Sequence, residues 1–215
     1  MELYTYFRSS AAYRVRIALN LKGVQAEYQY VHLLKDGGQQ HQPAYQQLNP
    51  NETVPTLVTE DGAITQSLAI CEYLEERYPN PPLLPVHSID RAFVRSIAQT
   101  IACDIHPINN LRVLQYLTGT LGISEEQKSQ WYAHWVQHGL TALEALLTNR
   151  DTTGLCCLGD TPTLADLCLI PQLYNARRFN IDLTPYPTLV RIDAHCQTLS
   201  AFAEAAPEKQ VDAAV

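Results

Sequence analysis

The fold of this chain is decided near its N-terminus by the stretch Phe7-Arg8-Ser9-Ser10-Ala11-Ala12-Tyr13-Arg14-Val15-Arg16-Ile17-Ala18-Leu19. Apolar residues just before it predict a strand, and the helical spacing at its end predicts a helix that stops at Gly23. Ser9 and Ser10 then lie at a helix N-terminus, where backbone N–H groups have no helical partner. Such a position holds a carboxylate or a phosphate, or lowers the pKa of a thiol placed against it. An ordinary serine N-cap is the alternative interpretation.

Composition restricts the class of protein. The chain has 215 residues, of which 46% are hydrophobic and 17% charged, enough for one large core or two small ones. The net charge of −7 gives no general attraction to nucleic acid or to an anionic membrane, so an anionic ligand needs a local basic pocket. No signal peptide and no run of about 20 apolar residues is present, and we expect a cytoplasmic protein.

Cysteine and histidine spacing does not favour a metal site. The six cysteines show no CxxC pattern, and we interpret them as reduced core residues: Cys71, Cys103, Cys156, Cys157, Cys168 and Cys196. His134 and His138 have the spacing of two zinc ligands on a helix, but no Glu follows His134 and no third ligand is evident. We expect both to be surface histidines.

Two domains are predicted on either side of a proline-rich stretch at residues 78–85. Before it, the element order βαβαββα is that of a thioredoxin-like domain, assigned to residues 1–80. Residues 81–88 are assigned as a linker and residues 89–215 as an all-helical domain. In the second domain two apolar stripes predict core helices, and a capping box at Thr163–Asp166 opens a buried helix. The stripes are Val94, Ile97, Ile101 and Ile105, and Trp131, Trp135, Leu140, Leu143 and Leu147.

Two further segments of the first domain point to the same ligand as the helix start at Ser10. A proline after Val54 marks an edge or a cis peptide, which leaves the Val54 backbone open to pair with a peptide ligand. An ordinary edge proline is the alternative. Gln66 and Ser67 open another helix and can bind a carboxylate or an amine. Sites for a thiolate, a peptide backbone and a carboxylate together describe a glutathione site.

The chain resembles the zeta-class glutathione transferases, the family of maleylacetoacetate and maleylpyruvate isomerases, over nearly all of its length. The motifs that carry the resemblance are residues 6–10, 14–19, 35–40, 48–50, 54–57 and 66–70, then 104–110, 159–160, 163–166 and 182–187. It implies an N-terminal thioredoxin-like domain and a helical C-terminal domain, and it implies a homodimer. It also implies that glutathione is held by Ser9, Ser10, Gln40, Val54, Gln66, Ser67, His106 and Asn110.

One departure concerns the motif cysteine. Where the family usually has Ser-Ser-Cys, this chain has Ala11. Ala11 can serve neither as an auxiliary thiol donor nor as a covalent handle, whereas roles that use the sulfur of glutathione are unaffected.

The activity implied by the resemblance is cis–trans isomerisation of a dicarboxylic enone during breakdown of tyrosine, phenylalanine or other aromatic compounds. Glutathione adds to the double bond and leaves after rotation, so it acts as a cofactor. The resemblance assigns catalysis to Ser9, Ser10, Arg8 and Arg178, and substrate binding to Arg8, Arg112 and Arg178. For Arg177 and Arg178, favourable charge at a helix C-terminus is the alternative.

His106 has two open roles. Pro107 should end or kink its helix and turn His106 and Asn110 towards the cleft of the domain. His106 would then hold the glycyl end of glutathione, which we favour, or donate to the enolate. Two other functions also remain open: conjugation or dehalogenation of small electrophilic acids, and ligand binding without catalysis. Binding without catalysis is disfavoured, because the chain keeps a complete set of glutathione-binding motifs at Ser9-Ser10, Val54-Pro55 and Gln66-Ser67.

Overall fold

The computed structural model describes residues 1–214, which form two compact units. The first unit comprises Met1–Leu83 together with the C-terminal segment from Gln197, and the second comprises Leu84–Cys196. Within the described residues no helix combines the length and the apolar character needed to cross a membrane.

The first unit has the predicted order βαβαββα. Its elements are β1 (Glu2–Thr5), α1 (Ser10–Lys22), β2 (Glu27–Tyr30), α2 (Pro43–Leu48), β3 (Thr56–Thr59), β4 (Gly62–Thr65) and α3 (Ser67–Arg77). The strand order in the sheet is β2-β1-β3-β4; β1 pairs parallel with β2, and the other pairs are antiparallel. This confirms the thioredoxin-like interpretation.

The sheet register brings three loop ends to one edge. Tyr4 of β1 lies opposite Thr56 of β3, and Thr56 lies opposite Thr65 of β4. Because these neighbours are antiparallel, the end of β1, the start of β3 and the end of β4 all meet there. The loop to α1, the loop before β3 and the turn into α3 are therefore side by side.

The C-terminal segment packs on α1. Side-chain donors of α1 reach backbone carbonyls of this segment: Tyr13 Oη donates to Phe202 O at 3.2 Å, and Arg16 Nε donates to Ala205 O at 3.0 Å. The short helix α9 (Ser200–Ala203) lies within it. Sequence reasoning kept residues 89–215 in one domain, and the structure differs because these buried donors on α1 take their acceptors from the chain terminus.

The second unit is helical, as predicted. Its helices are α4 (Ser88–Gln99), α5 (Leu111–Gly119), α6 (Glu125–Thr148), α7 (Leu164–Arg178) and α8 (Pro187–Cys196), and a π-helical turn spans Thr100–Ile105. Residues 167–173 of α7 are all buried, and so is the stripe of Val94, Ile97, Ile101 and Ile105. The capping box is also present, because Asp166 Oδ2 accepts from Thr163 N at 2.7 Å.

Two sequence expectations need correction. Trp131 and Trp135 are only half-buried, and the buried stripe of α6 instead consists of Tyr132, Val136, Leu140, Leu143 and Leu147. This set keeps helical spacing along its whole length, so the helix turns the tryptophans about 100° away. Cys103 is exposed, whereas the other five cysteines are buried. His134 and His138 are exposed, as expected.

Candidate active site

The two serines have different positions at the start of α1. Ser9 is the N-cap, and its Oγ accepts a hydrogen bond from Ala12 N at 3.2 Å. The capping interpretation thus holds for Ser9. Ser10 is the first helical residue and is buried. The Ser10 side chain therefore lies beside the unpaired N–H groups and the positive end of the helix dipole.

The loop before Ser9 is fixed by two residues that sequence reasoning missed. Arg16 is fully buried; its guanidinium donates to Phe7 O at 3.1 Å, to Tyr6 O at 3.4 Å and to Thr5 Oγ1 at 3.2 Å. From the other side, Asp212 accepts from Phe7 N at 2.9 Å. Burial lowers the pKa of Arg16 to about 10, so it stays cationic at neutral pH. Arg16 lies in the opening stretch, but no sequence signal marked Asp212.

The peptide between Val54 and Pro55 is cis. Two buried side chains hold the preceding loop, because Tyr45 Oη and Asn49 Nδ2 donate to Thr53 O at 2.6 and 2.7 Å. Among the described residues nothing pairs with the N–H or C=O of Val54. The Val54 backbone is thus available to an extended peptide ligand.

Gln66 and Ser67 lie where α3 begins. Gln66 is the exposed N-cap, with φ of 69°, and Ser67 is the buried first residue of the helix. Arg14 Nη1 donates to Ser67 Oγ at 3.1 Å. An anion at this position meets the unpaired N–H groups of α3 and the Ser67 hydroxyl.

Gln40 is a buried amide with unused hydrogen-bonding capacity. Its Nε2 lies 3.4 Å from Leu33 O and 2.9 Å from His41 Nε2, while its Oε1 has no partner. Gly38 has φ of 98°, and a Cβ there would lie 2.6 Å from the amide nitrogen. Only glycine therefore fits at position 38 with Gln40 in this place.

These residues of the first unit fit glutathione. The N-terminus of α1, the open backbone of Val54 and the N-terminus of α3 lie at one sheet edge. Their groups match a thiolate, a peptide and a carboxylate. The unpartnered Gln40 Oε1 and two unpartnered nitrogens of Arg14 give further unused polar capacity. The assignment of Ser9, Ser10, Gln40, Val54, Gln66 and Ser67 to glutathione stays a prediction.

In the second unit, His106 and Asn110 are neighbours around a turn that begins at Pro107. Asn110 Nδ2 lies 3.4 Å from His106 Nε2, and Asn110 Oδ1 accepts from Arg112 N at the start of α5. Trp131 Nε1 donates to Ile108 O at 3.0 Å and holds this turn. The helical path breaks at Pro107, as the sequence predicts.

The arginines predicted to bind substrate share one property. Arg8, Arg112 and Arg178 are exposed, and none of their guanidinium groups makes a hydrogen bond or ion pair with any residue from 1 to 214. Arg177, in contrast, pairs with Asp193 at 2.6 Å. Arg177 therefore has a structural role at the C-terminal end of α7, which is the alternative considered for both arginines. Arg178 is available to a ligand.

A buried group in the second unit resembles a metal site in composition. The ligand atoms of Cys156, Asp166 and Cys196 lie within 4.8 Å of one another. However, the Asp166 carboxylate accepts hydrogen bonds from Cys157 N and from Thr163 N and Oγ1. A hydrogen bond with Cys156 and burial raise the pKa of the Cys196 thiol. We describe the group as a helix cap packed against two buried thiols.

Comparisons with known proteins agree with this geometry. A family model described as the N-terminal domain of glutathione S-transferase matches residues 3–82. A probable maleylacetoacetate isomerase of Vibrio cholerae is 52% identical over 98% of this chain and 97% of that protein. A solved holo maleylpyruvate isomerase, described as a bacterial zeta-class glutathione S-transferase, is 48% identical, covers 99% of both chains and has a TM-score of 0.96.

A second solved relative carries a ligand. It is a maleylacetoacetate isomerase from Anaeromyxobacter dehalogenans with dicarboxyethyl glutathione and citrate in its active site. It is 44% identical, covers 99% of this chain and 96% of that chain, and has a TM-score of 0.87. Because identity of this level extends over nearly the whole chain, the protein belongs to the zeta-class glutathione transferases, the family of maleylacetoacetate and maleylpyruvate isomerases.

Proposed function

We propose that this protein is a glutathione-dependent cis–trans isomerase that converts maleylacetoacetate to fumarylacetoacetate, or isomerises maleylpyruvate, in aromatic catabolism. The observation that carries the proposal is the sheet edge where α1, Val54 and α3 present groups for a thiolate, a peptide and a carboxylate. The relative that binds dicarboxyethyl glutathione supports it, because that ligand joins glutathione to a group with two carboxyls.

The thiolate would be stabilised at the start of α1. Bound glutathione supplies a sulfur nucleophile that adds to the double bond and leaves again after rotation. Ser10 and the N–H groups of the first turn favour the charged form of a thiol beside them, because they bring donors and the positive end of a dipole. Neither group uses the side chain of Ala11, so the missing motif cysteine does not remove this function.

The exposed arginines would bind the substrate carboxylates. A guanidinium binds a carboxylate through two parallel hydrogen bonds, and Arg8, Arg112 and Arg178 have no hydrogen bond or ion pair to a described residue that they would have to give up. Because the arginines bind only the carboxylates of the substrate, the carbon–carbon bond that isomerises remains free to rotate. His106 and Asn110 would supply further polar contacts to glutathione.

The test follows loss of maleylpyruvate and of maleylacetone in separate assays, with and without glutathione. We expect turnover of at least one only when glutathione is present, with glutathione unconsumed. A neutral electrophile, chlorodinitrobenzene, tests the conjugation alternative in parallel. Conjugation of that electrophile without isomerisation of either acid would overturn the proposal.

We further infer from the resemblance that the protein is a homodimer, and from its cysteine usage that it acts in the cytoplasm. All six cysteines are free thiols, which suits a reducing compartment. Sedimentation at micromolar concentration tests the dimer, and a monomer alone would contradict it.

A further inference from the structure

Two arginines on α1, two positions apart, are both buried but differ in what they bind. Arg16 uses all three of its guanidinium nitrogens, which donate to backbone carbonyls and to Thr5. This is how a structural arginine is expected to behave, because buried polar groups are normally satisfied. Arg14 does not behave in this way.

Arg14 is 2% exposed and makes one side-chain hydrogen bond, from Nη1 to Ser67 Oγ at 3.1 Å. Its Nε and Nη2 are buried without a partner. Within residues 1–214 no carboxylate forms an ion pair with it. A buried cation without a counter-ion is unfavourable, so the folded protein has an unmatched positive charge behind the start of α3.

The hydrogen bond from Arg14 also sets the direction of the Ser67 hydroxyl. Ser67 Oγ accepts from Arg14 and donates to no other described residue, so its own hydrogen remains available. Ser67 is the first residue of the 11-residue helix α3, whose first N–H groups have no helical partner. The start of α3 therefore brings together the Ser67 hydroxyl donor, the first N–H groups of the helix and the unmatched charge of Arg14.

We propose that Arg14 is a positioning residue for a terminal carboxylate of glutathione: it fixes Ser67 as the donor and supplies the buried counter-charge. This rests on the proposed use of glutathione and adds a residue that the family motifs did not assign to the ligand. Arg14 contributes to affinity for one carboxylate and has no part in the reaction at the sulfur.

The test measures dissociation constants by calorimetry for glutathione and two analogues. One analogue lacks the α-carboxylate of the γ-glutamyl residue, and in the other the glycine carboxylate is an amide. The wild-type protein should bind glutathione roughly ten- to hundredfold more tightly than the analogue that lacks the carboxylate bound at Ser67. This is the range for a hydrogen bond to a charged group. Arg14→Gln should lose most of that preference, and Arg14→Lys should retain part of it.

The matched control is Arg77→Gln, which removes the same charge from the exposed C-terminal turn of α3 and should leave the preference unchanged. A merely structural role for Arg14 would weaken all three ligands equally. Arg14→Gln with an unaltered preference for both carboxylates would overturn the proposal. A wild-type protein that does not bind glutathione would instead overturn the proposed function.

A crystal structure of the unaltered protein with glutathione tests the proposal without any variant. We expect a carboxylate oxygen within hydrogen-bonding distance of Ser67 Oγ while the bond from Arg14 persists. Glutathione bound with both carboxylates away from Ser67, or with the Arg14–Ser67 bond broken, would contradict it even if Arg14→Gln fails to fold.

Discussion

The carboxylate of Asp212 accepts a hydrogen bond from the backbone N–H of Phe7 at 2.9 Å, although 205 positions separate the two residues. Phe7 lies in the loop that leads to Ser9, and Arg16 holds the same loop through the carbonyls of Tyr6 and Phe7. The C-terminal segment thus helps to fix the loop from which the proposed thiolate site begins.

Asp212→Ala should lower the free energy of unfolding by about 1–3 kcal/mol, because a backbone N–H loses a charged acceptor. It should also weaken glutathione binding, since the loop before Ser9 is freed. Asp212→Asn keeps an oxygen that can accept from Phe7 and should be much milder. Denaturant unfolding and calorimetry measure both effects, and equal behaviour of the two variants would contradict this role.

Ser9→Ala and Ser10→Ala should separate capping from catalysis. Ser9→Ala removes the N-cap of α1 and should cost about 1 kcal/mol of stability. Ser10→Ala should raise the pKa of the bound glutathione thiol and lower turnover by roughly 10²- to 10³-fold, the effect of losing one stabilising donor. Thiolate absorbance and initial rates are the readouts. Unchanged values for Ser10→Ala would remove Ser10 from the proposed thiolate site.

Ala11→Cys should change isomerisation by only about a few fold, since an added enzyme thiol is not needed when glutathione supplies the sulfur. Steady-state rates on maleylpyruvate measure this. Large activation would show that the natural task of this protein lies elsewhere.

Arg178→Met should slow the turnover of maleylpyruvate by an amount that corresponds to about 2–4 kcal/mol of lost binding free energy, because a substrate carboxylate loses its charged partner. The variant should still conjugate neutral chlorodinitrobenzene. Arg177→Met is the matched control, because it breaks the pair with Asp193 and should affect stability rather than substrate choice. A fall of both activities in Arg178→Met would assign Arg178 to the fold or to the glutathione site.

Asp166 should give stability a defined pH dependence. Burial raises the pKa of its carboxyl above 3.8, so the folded state holds a proton that the unfolded chain has lost. Its contribution therefore favours folding at low pH and declines as pH rises from 3.8 through the raised pKa. Asp166→Asn should flatten this dependence in denaturant unfolding across pH. Asp166→Ala should flatten the dependence too, and below pH 3.8 it should cost about 3 kcal/mol, because buried N–H groups lose their acceptor.

The sequence by itself determined the element order of the first unit, the helix starts at Ser10 and Ser67, and the buried helix after the Thr163 capping box. These features depend on apolar spacing and caps within a few residues of chain, and such local signals are readable without the fold. The family motifs likewise lie in short runs.

Only the tertiary structure decided which polar groups find partners. Among the described residues Arg177 forms an ion pair while Arg178 does not, Arg14 donates to Ser67, and the segment from Gln197 joins the first unit. These outcomes depend on hydrogen bonds and ion pairs between residues far apart in sequence, such as Phe7 and Asp212. Apolar spacing predicts that a helix has a buried face, but the packing of distant elements decides which residues lie on it, as Trp131 and Trp135 show. The same packing sets the partner of each buried polar group.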